Sequence, residues 1–583
     1  MQHRAFGERG DGMTKLRVAA ALASLVAGIV VQPSWVGATG GSGIAEQTGQ
    51  ARSVETGMTD RAPAHAGFER LGGLTSRELK VWAAEHLTPP NDAPFVQSRV
   101  ECTTTAAQER PDTRLDCDSP FPNNEPDIEV DPLDPLHMVA SSNDYDSCCD
   151  GFYTTFDGGE TWTQGNMSVE DAGRIGSDPV TVFEPVTDTV IHASLNFGIT
   201  REGFAKDGDV VVSLSNDGGI TWRRPVEVAD GQGTDIAPTQ VFNDKEWIVV
   251  DTDPGSPYYG RTYLTWTAFL SHHARTVESP IFEAHSDDGG RSWTSPQEIS
   301  GGAPFCSFVN NERPQTCNSD QFSVPAVGPD GTVYVSFAND QNESLWEPEE
   351  ELDDQYLVVK STDGGATWSD PVIAATLEDG SHDYPKNVLG RQTLTGMQFR
   401  VPAVGNIAVD PSSGDLYLAF FDNRNGVHDV RHPVTNADIF IVSSTDGGAT
   451  WSAPSQVDPS TGDEWFPWVD VDPTTGDVGI TYQSRNEADP DLYNTMVAIG
   501  TPGDLTLTRL STTPSDPTRS VFFKAKARHC FACATFIGDY NRIAFGSDGA
   551  ANVVWTDMRR IYAAGDNPNR HLQFIFFRRL GGG

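Results

Sequence analysis

The sequence predicts an all-β protein that folds as a single β-propeller, a ring of four-stranded antiparallel sheets called blades. An eight-residue segment ending in tryptophan recurs five times along the chain, which indicates one structural unit built repeatedly. Phrases of alternating apolar residues, typical of strands, accompany these segments. The 56 glycines, 38 prolines and 13 tryptophans suit a protein of many short strands joined by turns.

The recurring segment reads Ser/Thr-x-Asp-Gly-Gly-x-Ser/Thr-Trp, and we call it the DGG segment. Its Gly-Gly pair predicts a hairpin turn with positive φ angles, placed between the third and fourth strands of a blade. The aspartate can accept hydrogen bonds from the turn, and the tryptophan can pack against a neighbouring sheet. We therefore interpret these residues as structural: Asp157, Asp217, Asp288, Asp363 and Asp446, with Trp162, Trp222, Trp293, Trp368 and Trp451.

The number of repeats predicts the number of blades. Seven strand-pair phrases open the repeats, at 126–142, near Asp178, near Glu246, at 324–337, 401–420 and 466–482, and near Gly538. Successive DGG segments lie 60 to 83 residues apart, which suits one large propeller. The last repeat is one strand short, so we expect a strand within 93–118 to close the ring and remove its exposed edges. The prediction is a seven-bladed propeller spanning 96–583, with six blades as the alternative.

The N-terminal region predicts export. Lys15 and Arg17 precede a mostly apolar run at 18–31, and small residues at 36–38 offer a cleavage site, as in a signal peptide spanning 1–38. Met13 is an alternative start to Met1. Residues 39–95 are expected to form a flexible spacer with a short helix at 75–87, which opens on a capping box and stops before two prolines. We expect a secreted protein.

Charge and motifs restrict the partners. The net charge of −42, from 82 acidic and 40 basic residues, disfavours nucleic acid and anionic membranes. No stretch after the signal peptide is long and apolar enough to cross a bilayer. The sequence holds neither a phosphate-binding G-x-x-x-x-G-K-S/T motif nor a D-x-[DN]-x-[DN]-G calcium loop, so we expect no cofactor, no metal and a monomer. The loop histidines His272, His273, His428 and His432 could ligate a metal, but solvated loop histidines are commoner, and we expect these to be solvated.

The eight cysteines, an even number in a chain predicted to be exported, favour disulfides. Cys102 and Cys117 could close a small loop before the propeller, and Cys306 and Cys317 could join one long loop. Cys148, Cys149, Cys530 and Cys533 remain as further disulfide candidates. His529 beside the last pair raises zinc binding as an alternative.

Blade geometry predicts where a ligand binds. The loops between second and third strands share one rim of the ring with the blade-to-blade connectors, and they are long and varied; we call this rim the loop face. First strands line the central channel, and here they open on unusually polar residues. These opening residues are Asn124, Glu125, Asp127, Asp178, Asp244, Lys245, Glu246, Arg400, Glu464, Asp539, Tyr540 and Arg542. A ring of carboxylates, arginines and tyrosines could hold an anionic sugar.

The DGG segment resembles the Asp-box, or BNR, repeat of sialidase-like propellers, and the resemblance covers the chain from about Pro122 to the C terminus. Sialidases hold the substrate carboxylate with three arginines, and they use a tyrosine nucleophile, a glutamate base and an aspartate acid. Their F-R-x-P motif is matched by Phe399-Arg400-Val401-Pro402. The resemblance implies Arg400 with two of Arg424, Arg485 and Arg559 as substrate ligands, Tyr540 or Tyr145 as nucleophile, Glu246 or Glu464 as base, and Asp178 or Asp539 as acid.

Two departures from the family keep a second hypothesis open. Sialidases of the family have six blades and carry the arginine motif before the first repeat, whereas Arg400 follows four DGG segments. An acidic loop at 347–354 would also repel an anionic sugar. The alternative to an exo-sialidase-type hydrolase is a non-catalytic propeller that binds a glycan or a protein through its loop face.

Overall fold

The innermost strands of the protein form a closed circle, in which each contacts the next and the seventh contacts the first. They are β4 (Asn123–Asp131), β8 (Ile175–Glu184), β13 (Val241–Val250), β18 (Asp320–Val327), β22 (Asn406–Val409), β26 (Glu464–Val471) and β30 (Arg542–Phe545). The computed structural model is thus an all-β propeller of seven four-stranded antiparallel blades, which confirms the predicted fold and the choice of seven over six.

The structure describes residues 95–97, 100–101, 111–116, 122–145, 149–171, 173–199, 205–235, 240–272, 275–306, 315–341, 353–380, 383–386, 392–402, 405–429, 431–520, 536–559, 561–562 and 570–582. The predicted signal peptide, most of the spacer and its helix lie outside them. In the described part of the chain, the helical structure is the 3-10 turn Pro517–Arg519, and no helix could span a membrane.

The remaining strands complete the blades from the axis outward. The second strands are β5 (Asp134–Asp144), β9 (Thr189–Ile199), β14 (Thr262–His272), β19 (Val333–Asn339), β23 (Leu416–Asp422), β27 (Val478–Arg485) and β31 (Ala551–Asp557). The third strands are β6 (Asp150–Thr155), β10 (Ala205–Ser215), β16 (Ile281–Ser286), β20 (Asp354–Ser361), β24 (Asp438–Ser444), β28 (Tyr493–Thr501) and β34 (Phe574–Leu580). The fourth strands are β7 (Thr163–Asn166), β12 (Val226–Ala229), β17 (Gln297–Glu298), β21 (Val372–Leu377), β25 (Ser455–Gln456), β29 (Asp504–Arg509) and β3 (Thr113–Arg114).

A strand from the N-terminal side closes the ring, as predicted. Strand β3 pairs antiparallel with β34, with Thr113 opposite Phe577 and Arg114 opposite Phe576. It supplies the fourth strand of the last blade, so that both ends of the chain hold one sheet together. The short strands β2 (Val100–Glu101) and β15 (Arg275–Glu278) extend two blades. Two separate two-stranded sheets are formed by β1 (Phe95–Gln97) with β11 (Thr221–Arg223), and by β32 (Ile561–Tyr562) with β33 (Arg570–His571).

All five DGG segments form the turn after a third strand, and they share one hydrogen-bond pattern. In the last copy, the Asp446 carboxylate accepts from the N–H and hydroxyl of Thr450 at 2.9 and 2.6 Å, and from the Ser444 hydroxyl at 2.9 Å. The hydrogen bonds from Thr450 and Ser444 lower the pKa of Asp446 to about 2. Both glycines have positive φ, 69° and 79° in this copy. Both carboxylate oxygens of the aspartate are therefore engaged by the turn itself.

The tryptophans of two DGG segments connect neighbouring blades. Trp162 in blade 1 packs edge-on against Phe577 in blade 7, with ring centroids 5.1 Å apart. Trp222 in blade 2 packs in the same way against Phe152 in blade 1, at 5.6 Å. Since both tryptophans are buried, each turn joins its own sheet to the preceding one.

The Cys306–Cys317 disulfide is present as predicted, in the loop between β17 and β18. Cys149 is also disulfide-bonded, and its partner lies outside the described residues. The candidates Cys102, Cys117, Cys148, Cys530 and Cys533 lie outside the described residues as well.

Substitution of a DGG glycine should destabilise the joint between the first and last blades. A Cβ atom at Gly159, whose φ is +87°, would overlap the ring of Phe577. We expect Gly159→Ala to lower the free energy of unfolding by roughly 2–5 kcal/mol, from backbone strain plus overpacking. Urea denaturation would measure the loss.

Gly173→Ala is the matched control, because Gly173 has a φ of +90° and a Cβ there would meet nothing within 4 Å. It should show only the strain, about 1–2 kcal/mol. Equal losses for both variants would contradict the role given to the contact with Phe577.

Candidate functional site

A repeated β-bulge shapes the channel end where the innermost strands begin. Strand pairing slips at the same place in β4, β8, β13, β18 and β26. The bulged position carries a non-glycine residue with φ between 53° and 57°: Glu125, Asp178, Lys245, Phe322 and Phe466. Such backbone strain is typical of sites that redirect a side chain. The first three blades therefore aim charged side chains toward the axis.

Aromatic rings fill the channel beneath this end. The ring centroids of Trp247 and Trp468 are 4.3 Å apart, and Tyr540 lies 5.6 Å from the first and 6.3 Å from the second. Blades 3 and 6 stand on opposite sides of a seven-membered ring, so contact between their tryptophans means that the channel is filled. All three residues are buried. We call them the aromatic plug.

Lys245 lies against the plug. Its Nζ is 4.1 Å from the ring centroid of Trp247 and 3.9 Å from that of Tyr540, which makes two cation–π contacts. Nζ is buried and has no hydrogen-bond partner among the described residues. Burial lowers the pKa of this ammonium group, although the carboxylates of Asp178 and Glu246 oppose the shift.

Two more carboxyl groups beside Lys245 are buried. Burial and the charge of Asp178 raise the pKa values of Asp244 and Glu246 well above their ordinary range. Within the described part of the chain, Asp244 Oδ2 and both carboxyl oxygens of Glu246 have no hydrogen-bond partner. Buried polar atoms in proteins are almost always hydrogen-bonded to protein, water or ligand. A protonated carboxyl group donates one hydrogen bond and accepts others, so these groups can pair with an incoming hydroxyl group.

An ion pair links the segments that enter blades 5 and 7. Arg400 Nε lies 3.0 Å from Asp539 Oδ1, and a second guanidinium nitrogen contacts Oδ2. The Asp539 N–H donates to Glu125 Oε1 at 3.1 Å. Asn143 donates to Glu125 Oε2 and accepts at 3.2 Å from the N–H of Asp178. Burial lowers the pKa of Arg400, but Asp539 and Glu125 outweigh it and raise that pKa above its ordinary value.

The structure brings together five of the residues proposed from sequence: Tyr540, Glu246, Asp178, Asp539 and Arg400. Carboxylate charges from Asp178 and Glu246 act on the Tyr540 phenol, and burial together with these charges raises its pKa well above the ordinary value. With Glu125, Asp244 and Lys245 these residues form what we call the axial cluster. It holds five carboxyl groups against two cationic groups.

The other three proposed arginines each bind a carboxylate of their own. Arg424 pairs with Asp422 at 2.6 Å and Arg485 with Asp463 at 2.6 Å. Arg559 pairs with Asp557 at 2.7 Å and with Asp112, next to the closing strand β3, at 2.6 Å. Arg400 pairs with Asp539 in the same way. Each of the four proposed arginines therefore pairs with a different aspartate.

The two alternative residues are also buried. Glu464 accepts from the hydroxyl groups of Ser460 and Ser484. Burial and the nearby Asp458 and Asp438 raise the pKa of Glu464 to about 9. Tyr145 is fully buried in the same apolar cluster as the aromatic plug.

Sequence reasoning missed the aromatic plug, the contribution of Asn143 and the central position of Lys245. The available signal was an aromatic residue two positions after two of the five bulges, at Trp247 and Trp468. The bulge itself decides that these rings face the axis, and a non-glycine residue at positive φ leaves no recognisable sequence pattern.

No protein-family model and no curated protein matches this chain. Among solved structures, it is similar to a protein of unknown function from Dyadobacter fermentans, with 12% identity, a TM-score of 0.39, and coverage of 71% of this chain and 97% of that one. It is also similar to the NanB sialidase from Streptococcus pneumoniae, with 9% identity, a TM-score of 0.38, and coverage of 76% and 83%. A third similarity is to an α-L-arabinofuranosidase from Fusarium graminearum, with 10% identity, a TM-score of 0.37, and coverage of 69% and 92%. Nothing about activity follows from similarities at this level.

Loss of Arg400 should destabilise the protein strongly, because it leaves the buried Asp539 carboxylate without its cationic partner. We expect Arg400→Leu to lower the free energy of unfolding by about 3–5 kcal/mol, and Arg400→Leu/Asp539→Asn to recover a large part of that loss. Urea denaturation of both variants tests this. The exposed Lys206–Asp235 pair is the control, and Lys206→Met should cost at most about 1 kcal/mol.

Buried carboxyl groups should make the protein most stable at mildly acidic pH. The pKa of Glu464 is about 9 in the fold, against an ordinary 4.5, so between these values the folded state holds a proton that the unfolded chain releases. Stability therefore falls as pH rises from about 5 to 9, by up to about 1.4 kcal/mol per pH unit for each such proton. Burial also raises the pKa values of Glu129 to about 7 and Asp470 to about 6.

Thermal denaturation between pH 4.5 and 9 would measure this profile. Glu464→Gln should flatten it, whereas Glu487→Gln at an exposed glutamate should leave its slope unchanged. A stability maximum above pH 8 would contradict the expected sign.

Proposed function

We propose that this protein is a secreted glycan-binding propeller whose ligand, a neutral or amino-bearing sugar, binds at the axial cluster. The observation that carries the proposal is the set of buried carboxyl oxygens without partners among the described residues, Asp244 Oδ2 and both oxygens of Glu246. Sugar hydroxyl groups both donate and accept hydrogen bonds, so they would satisfy these oxygens. Arg400 is already paired with Asp539, and Lys245 is buried beside Asp178 and Glu246, which disfavours an anionic sugar.

The aromatic plug supports entry from one side only. Trp247, Trp468 and Tyr540 fill the channel below Lys245, so a ligand that reaches the axial cluster comes from the rim where the innermost strands begin. In the proposal this rim is the loop face, and Asp178, the half-buried member of the cluster, is the first carboxylate that the ligand meets.

Sialoside hydrolysis, the activity that the sequence resemblance implies, receives less support from the geometry. A substrate carboxylate needs free guanidinium groups, but Arg400, Arg424, Arg485 and Arg559 are each engaged by aspartate. The Tyr540 phenol is buried, and burial among carboxylates raises its pKa, which opposes formation of a nucleophilic phenolate.

Isothermal titration with three oligosaccharides of different charge tests the proposal. We expect a chitosan oligomer or its neutral N-acetylated counterpart to bind, and sialyllactose to bind at least tenfold more weakly or not at all. Asp178→Asn should weaken sugar binding at least tenfold, about 1.4 kcal/mol. Asparagine tolerates positive φ, so this variant keeps the bulge.

Asp370→Asn is the matched control, since Asp370 is exposed beside a DGG turn on the opposite rim, and it should bind like the unmodified protein. Tightest binding of sialyllactose would overturn the proposal. Release of sialic acid from a chromogenic sialoside, abolished by Tyr540→Phe, would establish the competing hydrolase.

A further inference from the structure

Three potential metal ligands meet between blades 4 and 5, away from the axial cluster. Glu378 follows strand β21, Asp383 lies in the connector to blade 5, and His428 lies in the loop after β23. One ligand atom from each lies within 4.8 Å of the other two. His428 Nδ1 is 2.7 Å from Asp383 Oδ1 and 3.6 Å from Glu378 Oε2.

The histidine tautomer is determined by its second nitrogen. His428 Nε2 lies 2.9 Å from the backbone oxygen of Asn423, which can only accept a hydrogen bond, so Nε2 carries the proton. The Nδ1 atom consequently faces two carboxylates, and either a proton or a metal ion at Nδ1 satisfies this arrangement. Histidine ligands of metals are commonly oriented in this way by a backbone carbonyl on the other nitrogen.

The carboxylates are held in place by the surrounding backbone. The Gly380 N–H donates to Asp383 Oδ2 at 2.6 Å, which leaves Oδ1 directed at His428. The Asn423 side chain donates to the Asp383 backbone oxygen at 2.6 Å, and the Asn423 N–H donates to the Glu378 backbone oxygen at 3.1 Å. Asp383 is buried, whereas Glu378 and His428 are partly open to solvent, which leaves room for an entering ion and its water ligands.

Two other clusters of potential metal ligands lie among the described residues, and they differ from the cluster at His428. Glu170, Asp209 and Glu227 form one, and Asp207, Asp209 and Asp230 form the other. Both lack histidine, and the Arg174 guanidinium already pairs with Glu170, Asp207 and Asp209. Among the described residues, the nearby Arg424 pairs with Asp422, and the ion pairs of Glu378 and Asp383 are with His428.

We propose that Glu378, Asp383 and His428 bind a divalent transition-metal ion of the Zn²⁺ class. One imidazole nitrogen with two carboxylate oxygens is a ligand set for such ions, with water completing the coordination, whereas Ca²⁺ and Mg²⁺ prefer oxygen ligands alone. The ion would tie the connector between blades 4 and 5 to the blade 5 loop. This site revises the expectation that His428 is merely solvated, and it is independent of the proposed sugar site.

Zinc titration of tag-free protein after dialysis against a chelator tests the proposal. We expect one Zn²⁺ per chain by elemental analysis, a Kd in the micromolar range or below by calorimetry, and at least tenfold weaker binding of Ca²⁺. His428→Ala and Glu378→Gln, both at partly open positions, should each weaken Zn²⁺ binding at least tenfold. Circular dichroism at matched temperature verifies that both variants are folded.

His432→Ala is the matched control, because His432 is exposed four positions further along the same loop, and it should bind zinc like the unmodified chain. Failure of the unmodified protein to bind zinc below 100 µM, roughly a −5.5 kcal/mol limit, would overturn the proposal. Equal Zn²⁺ affinity in the unmodified chain and His428→Ala, or equal affinity for Ca²⁺ and Zn²⁺, would do so as well.

Discussion

Pairing of β3 with β34 is the constraint on which the rest of the molecule depends. Without β3, the seven-residue strand β34 would be the outer edge of the last blade, and the short strand from the N-terminal side covers part of that edge. Arg559 fixes this closure by pairing with Asp112, just before β3, as well as with Asp557 at the end of β31. The family resemblance implied that Arg559 could bind the substrate. In the structure, its guanidinium group pairs with Asp112 and Asp557 and so holds the closing strand in place.

A closed ring forces side chains from opposite blades to meet at the axis. The innermost strands cannot spread apart, so aromatic rings from blades 3, 6 and 7 fill the centre, and charged groups above them lie out of contact with bulk water. In that environment the charges must compensate one another or lose their ionisation. Arg400 with Asp539 shows the first outcome, and the raised pKa of Glu246 shows the second.

The sequence was sufficient for the fold because its signals are local and repeated. Each DGG segment specifies its own turn, and the alternation of apolar and polar residues specifies the strands. Counting these strands predicted seven blades and showed that the last blade lacked one strand, which the N-terminal side had to supply. The polar openings of the first strands also indicated where charges meet. Whether the proposed arginines point into one site could not be predicted from such local signals, because it depends on the direction of each side chain in the folded protein. A local signal did exist: Asp422 and Asp557 each lie two residues before an arginine, which predicts pairing within the loop.

The Glu378–Asp383–His428 site could not be predicted from the sequence, because no sequence pattern connects its three residues. Its carboxylates and its histidine are separated by about half a repeat, and no spacing rule joins a connector to the second loop of the next blade. What joins them is Asn423, whose backbone and side chain contact all three segments. Because Asn423 directly follows strand β23, the rigid blade determines the geometry of the site. Loops on this propeller can therefore hold a precise ligand arrangement wherever a strand end anchors them.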